Sequence, residues 1–75
     1  GMTLLEAPLA KRLRITGFGQ MGAEEKTVLN HLGLEEGEWI EKRHVAPLGD
    51  PVSLLVGTHV FTLRRELCRM IQVEV

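Results

Sequence analysis

Two apolar runs, VSLLV at 52–56 and HVFTL at 59–63, are separated by Gly57 and Thr58 alone. A connection of two residues, one of them glycine, forces the chain to double back, so the runs are read as adjacent antiparallel strands. Other segments repeat the pattern. RLRIT (12–16) sets Leu13 and Ile15 against Arg12, Arg14 and Thr16, and IQVEV (71–75) sets Ile71, Val73 and Val75 against Gln72 and Glu74. Alternation with period two marks half-buried strands. EWIEKRHV (38–45) reads as a further strand, which brings the total to five. It carries a conflict: if Ile40 points inward, so does Lys42. Either the ammonium reaches back to the rim or a bulge re-aims it.

Only AEEKTVLNHLGL (23–34) has helical spacing. Glu24 and Glu25 fall in the first turn, where the helix dipole favours anions. Val28, Leu29 and Leu32 share one face, and Gly33 stands where a left-handed cap is needed, with Leu34 beyond it. GFGQMG (17–22), with three glycines in six residues, is a loop, and RRELCRM (64–70) is long enough for one helical turn. The expected architecture is mostly β: a small five-stranded antiparallel barrel with one inserted α-helix and a short helical turn before the last strand. A barrel buries the alternating faces and removes strand edges.

With 75 residues the chain is expected to form one domain, residues 2–75, Gly1 ahead of Met2 reading as the remnant of a cleaved tag. No apolar run approaches the ~20 residues of a membrane span, no secretory signal is recognisable, and one cysteine cannot form an internal disulfide. A cytoplasmic protein is expected. Nine basic against ten acidic residues, a net charge of −1, lacks the electrostatic footprint of a nucleic-acid binder. Phe18, Trp39 and Phe61 are too few for a base-stacking platform. The basic residues read instead as solvated strand faces paired with nearby glutamates, so no nucleic-acid partner is expected.

Catalysis would need a nucleophile and a base. Cys68 with His31, His44 or His59 is the one conceivable pair, but Cys68 lies between Leu67 and Met70 on an apolar turn and reads as a buried thiol. GFGQMG lacks the lysine of a phosphate-binding loop. No catalytic residue is assigned, and the protein is not expected to be an enzyme. The same three histidines and Cys68 are the metal candidates, beside the acidic run Glu35, Glu36, Glu38 and Glu41. None has the Cys-x-x-Cys or His-x-x-x-His spacing of a preformed site. No resident cofactor is assigned, and Fe(II) or Zn(II) binding through these groups would be weak.

Protein contact remains, and HVAPLGDP (44–51) is where it concentrates. Pro47 and Pro51 stiffen the backbone, Gly49 permits positive φ, and Asp50 can accept from nearby amides. Leu48 is an apolar side chain on a turn that would ordinarily be polar. Two readings stand: Leu48 folds back to plug the barrel, or it joins Val45, Pro47 and Trp39 in an exposed patch rimmed by Arg64 and Arg65.

The ordered set Leu32-Gly33-Leu34, Gly37, Ala46-Pro47-Leu48-Gly49-Asp50-Pro51, Leu63-Arg64-Arg65, Ile71 and Val73 resembles the FeoA family, the small ferrous iron transport protein A. Similar domains occur at the C-terminus of iron-dependent repressors. The resemblance runs from Leu4 to Val75 and implies an SH3-like barrel that works beside FeoB, a membrane ferrous iron transporter with a cytosolic GTPase domain. The expectation is a non-catalytic accessory protein that binds and modulates that cytosolic part, meeting the membrane only through the transporter. A transition-metal-binding regulatory or metallochaperone module is the alternative. Exposed edge strands would also let such a barrel form a homo-oligomer.

Overall fold

The structure, a computed structural model, describes residues 1–75. Its elements are β1 (Met2–Thr3), β2 (Arg12–Phe18), α1 (Ala23–His31), β3 (Trp39–Val45), β4 (Val52–Val56), β5 (His59–Leu63), α2 (Arg65–Cys68) and β6 (Ile71–Glu74). The β4–β5 hairpin is in unbroken register from Val56↔His59 to Val52↔Leu63. Gly57 has φ +61 whereas Thr58 does not have positive φ, the signature of a type II′ turn with glycine first.

All six strands form one antiparallel sheet in the order β1-β6-β2-β3-β4-β5. This is one strand more than expected. Met2 and Thr3 pair with Val73 and Gln72, too short a segment to show alternation. The sheet curls into the mostly β, SH3-like architecture, its inward face set by the period-two pattern. Leu13, Ile15, Ile40, Val52, Leu54, Val56, Leu63, Ile71 and Val73 are all buried. Phe61 is partly buried against the same core.

The helix starts at Gly22, whose N–H donates to the Glu25 carboxylate at 3.1 Å. It ends in a Schellman motif: Leu34 N–H donates to Leu29 O at 2.9 Å and Gly33 N–H to Asn30 O at 3.0 Å, with φ +89 at Gly33. Leu29 and Leu34 are fully buried and pin the helix end. The expected three-residue face is a different matter. Val28 is 58% and Leu32 42% exposed. A nine-residue helix held at its end covers the barrel with one side chain rather than lying along it.

The conflict in β3 resolves in a third way. Lys42 points inward and is only 4% exposed. Its Nζ donates to Leu5 O at 2.7 Å and Ala7 O at 2.9 Å, carbonyls of the N-terminal turn. A bulge is present, but after Lys42: the register passes from Lys42↔Leu54 to His44↔Ser53 and leaves Arg43 without a partner. That extra residue re-aims His44 and Val45, not the lysine. The N-terminal turn is fixed at the same place by Leu4 N–H donating to Ile71 O at 2.8 Å, with Leu4 and Ala7 buried.

Candidate functional site

The loop between β3 and β4 folds on itself. Gly49 N–H donates to Ala46 O at 2.7 Å, Ala46 N–H to Pro51 O at 3.1 Å, and Gly49 takes φ +86. Ala46 to Gly49 thus form a tight turn with Pro47 and Leu48 at its two central positions, where proline's fixed φ suits the first. The Leu48 side chain stands out from this turn at 90% exposure, the most exposed large apolar residue of the chain. The plug reading is therefore excluded. Leu48 faces solvent.

Arg64 and Arg65 follow β5, and Leu63 pairs with Val52, so both arginines lie at the loop's end of the hairpin. Asp50 joins the two segments: its Oδ1 accepts from Arg65 N–H at 3.0 Å, so one residue anchors the loop to the first turn of α2. A β-carbon on Gly49 would lie 3.6 Å from the Arg65 guanidinium, which places that cation over the turn. Arg65 Nε is also 3.9 Å from Glu66 Oε1. Beside the loop a cleft of about 390 Å3 is lined by Glu25, Asp50, Arg64, Glu66, Leu67 and Met70. Val45, Pro47, Leu48, Gly49, Asp50, Arg64 and Arg65 are thus brought to one end of the barrel.

Trp39 is not among them. It opens β3 while Val45 closes it, a separation of roughly 20 Å at ~3.3 Å per residue. Trp39 is half-exposed at the opposite end, under Arg12, whose guanidinium carbon is 4.6 Å from the ring centroid. The strand length already implied this distance. The cleft residues Glu25, Glu66, Leu67 and Met70 were not singled out from the sequence. The signal for Glu66, Leu67 and Met70 was the short spacing from Arg64 and Arg65 into the following turn; Glu25, on α1, had no such signal.

The metal candidates are dispersed. His31 ends α1, His44 lies on the outer side of β3 and His59 opens β5, all exposed. His44 pairs with Ser53 and Ser53 with Thr62, which puts His44 and His59 two strands and three residues apart, on the order of 14 Å. Cys68 is fully buried, and burial pushes its thiol up to about 11 against the opposing effect of the Lys42 ammonium. A thiol so placed is a poor nucleophile and a poor ligand. No group of three or more His, Cys, Asp or Glu side chains able to hold a metal ion forms anywhere in the chain. The residues present do not fit a resident metal.

Several of the basic side chains are individually engaged, while Lys11, Arg64 and Arg69 form no ion pair. Arg43 pairs with Glu41 at 3.1 Å, Arg14 with Glu74 at 3.9 Å, and Lys42 is buried. No helix is long and apolar enough to cross a membrane.

The FeoA domain family matches residues 2–75, all but the first residue. The chain belongs to the FeoA family. Solved structures agree with this FeoA assignment. Iron(II) transport protein A from Clostridium thermocellum is 35% identical with a TM-score of 0.87, over 99% of this chain and 45% of that one. FeoA from Chlorobium tepidum is 28% identical with a TM-score of 0.90, over 99% of this chain and 70% of that one. The FeoA of Stenotrophomonas maltophilia, complexed with zinc, is 27% identical with a TM-score of 0.81, over 99% of this chain and 91% of that one. It is described as an SH3 domain protein and a candidate activating factor of bacterial ferrous iron transport. This chain therefore spans less than half the length of the Clostridium thermocellum protein. No curated protein matches it.

Proposed function

We propose that this FeoA-family chain is a non-catalytic accessory protein of ferrous iron transport. It binds the cytosolic part of a FeoB-type transporter through the loop from Val45 to Pro51. The observation that carries the reading is Leu48, 90% exposed on a turn held by backbone hydrogen bonds and by Asp50. An apolar side chain on a rigid, pre-ordered tip loses little conformational freedom on binding and gains what its burial is worth. Arg64 and Arg65 supply a charged rim, which adds specificity and orientation to an apolar centre.

The test is a titration of the isotope-labelled chain with the purified cytosolic domain of such a transporter. Amide signals of Val45 to Val52 and of Arg64 and Arg65 are expected to shift or broaden first. No change at saturating partner, or changes confined to the Trp39 end, overturns the reading. A metal-responsive regulatory module is the second reading, favoured by the zinc complex of the Stenotrophomonas maltophilia relative. Titration with Fe(II) or Zn(II) separates the two: specific shifts at His31, His44 or His59 at micromolar metal would replace the adaptor with the sensor.

A further inference from the structure

The two ends of the sheet are unlike. At one end β1 is two residues long, too short to template another strand. At the other, β5 runs five residues, His59-Val60-Phe61-Thr62-Leu63, paired on one side only. Exposed edges are ordinarily blunted by lysine, proline, an inward charge or a bulge. β5 has none of these, and its register with β4 is unbroken.

The hairpin geometry says which groups are free. A two-residue loop makes Val56 and His59 a hydrogen-bonded pair, and such pairs alternate along an antiparallel ladder. Phe61 and Leu63 therefore spend their backbone groups on β4. The N–H and C=O of Val60 and Thr62 face outward, with no strand beside them. The outer side of the sheet next to this edge carries two apolar side chains, Val60 and Leu55, beside Ser53 and Thr62. Val60 is 63% exposed and pairs with Leu55, which lines one shallow cleft together with Trp39.

We propose that β5 is a self-association edge, on which two copies of this chain pair strand to strand, antiparallel, about a twofold axis at Phe61. In that register Val60 of one copy faces Thr62 of the other, and their outward N–H and C=O groups satisfy each other in two symmetric pairs. His59 falls opposite Leu63 and Thr58 opposite Arg64, so no like charges meet. A second copy fits this edge better than a charged foreign segment, because the five residues of β5 carry no acid and no lysine or arginine with which to select one. The extended sheet leaves the two Leu48 loops at opposite ends, so self-association keeps Leu48 free, while Arg64 of the charged rim proposed above borders the seam.

A strand pair this short buries less than the ~1,200 Å2 at which standard interfaces begin, so the dimer is weak and reversible. It is to be sought by NMR relaxation on the full chain between ~0.05 and ~1 mM, the range in which such interfaces form. The rotational correlation time is expected to rise with concentration, and the amides of Val60 and Thr62 to move most. A mixed-label sample should show a contact between Phe61 Hα atoms of the two copies, since Hα atoms of a non-hydrogen-bonded antiparallel pair face each other. Val60→Lys and Thr62→Lys, both at exposed outward positions, are each expected to weaken association at least ~tenfold without changing the rest of the spectrum. A constant correlation time over the range overturns the proposal. So does association that persists in both variants, or concentration-dependent shifts that map to the Leu48 loop instead.

Discussion

Lys42→Met tests how the N-terminal turn is held. In the native protein the buried ammonium satisfies two carbonyls, Leu5 O at 2.7 Å and Ala7 O at 2.9 Å, neither of which accepts any other bond outside the regular elements. Methionine keeps the stem volume and removes the donor. Leaving the buried Ala7 carbonyl unpaired costs about 1–3 kcal/mol and the part-buried Leu5 carbonyl, within reach of water, costs less, offset in part because an ammonium no longer has to be desolvated. A net loss of about 2 kcal/mol is expected. In urea, with a slope of about 1 kcal/mol/M for so small a chain, that is a midpoint lowered by roughly 2 M. Lys42→Ala removes three further methylenes at ~0.8 kcal/mol each and should roughly double the loss. The effect is local before it is global, so hydrogen exchange should accelerate first at Leu4 and Ala7.

The pH dependence follows from the same burial. In the unfolded chain Lys42 titrates near its ordinary 10.5, whereas burial holds it lower in the folded chain, with the Cys68 charge opposing. Between those two values the unfolded state holds more protons on Lys42, so this residue's contribution to stability rises with pH there. Methionine has no such titration. The deficit of Lys42→Met is therefore expected to widen as pH rises through that window. A variant as stable as the native chain, or a deficit that narrows with pH, would refute the idea that Lys42 clamps the turn.

Two further outcomes can be checked with standard measurements. Cys68, fully buried with its thiol pushed up to about 11, should resist alkylation in the native state and react only as fast as the protein unfolds, which a mass-resolved time course with and without urea would show. Gly33→Ala forces a β-carbon to φ +89 and to 3.1 Å from Val56 Cγ1, and should cost more than ~1 kcal/mol, read as a melting temperature lower by at least ~4 °C.

What could be read from the chain follows from how local each determinant is. The β4–β5 hairpin was legible because a two-residue loop with Gly57 leaves one geometry. The helix end was legible because Gly33 and Leu34 carry the Schellman motif in consecutive positions. Lys42 was only half legible: period two sends it inward, but the carbonyls that receive it lie 35 and 37 residues away in the chain. β1 could not be found, since two residues have no period and pair only because β6 is already in place. Val28 and Leu32 misled for a related reason. Periodicity says which residues of a helix share a face, not whether a surface lies opposite it. Of the candidate site, the stiffness of the APLGDP turn and the role of Asp50 were visible in residue types. The direction of Leu48 was not, because an apolar residue on a turn is compatible with both. Trp39 was grouped with the loop although six strand residues separate them.

Leu48→Asp measures the central claim most directly. The side chain is 90% exposed, so the substitution is expected to change stability by no more than ~0.5 kcal/mol and to leave the amide spectrum dispersed. Binding to the transporter's cytosolic domain, measured by calorimetry beside the native chain, is expected to weaken by at least ~tenfold, since truncating or charging a central apolar contact costs more than ~1 kcal/mol. A folded Leu48→Asp protein that binds as tightly as the native chain would contradict the account, as would one that unfolds.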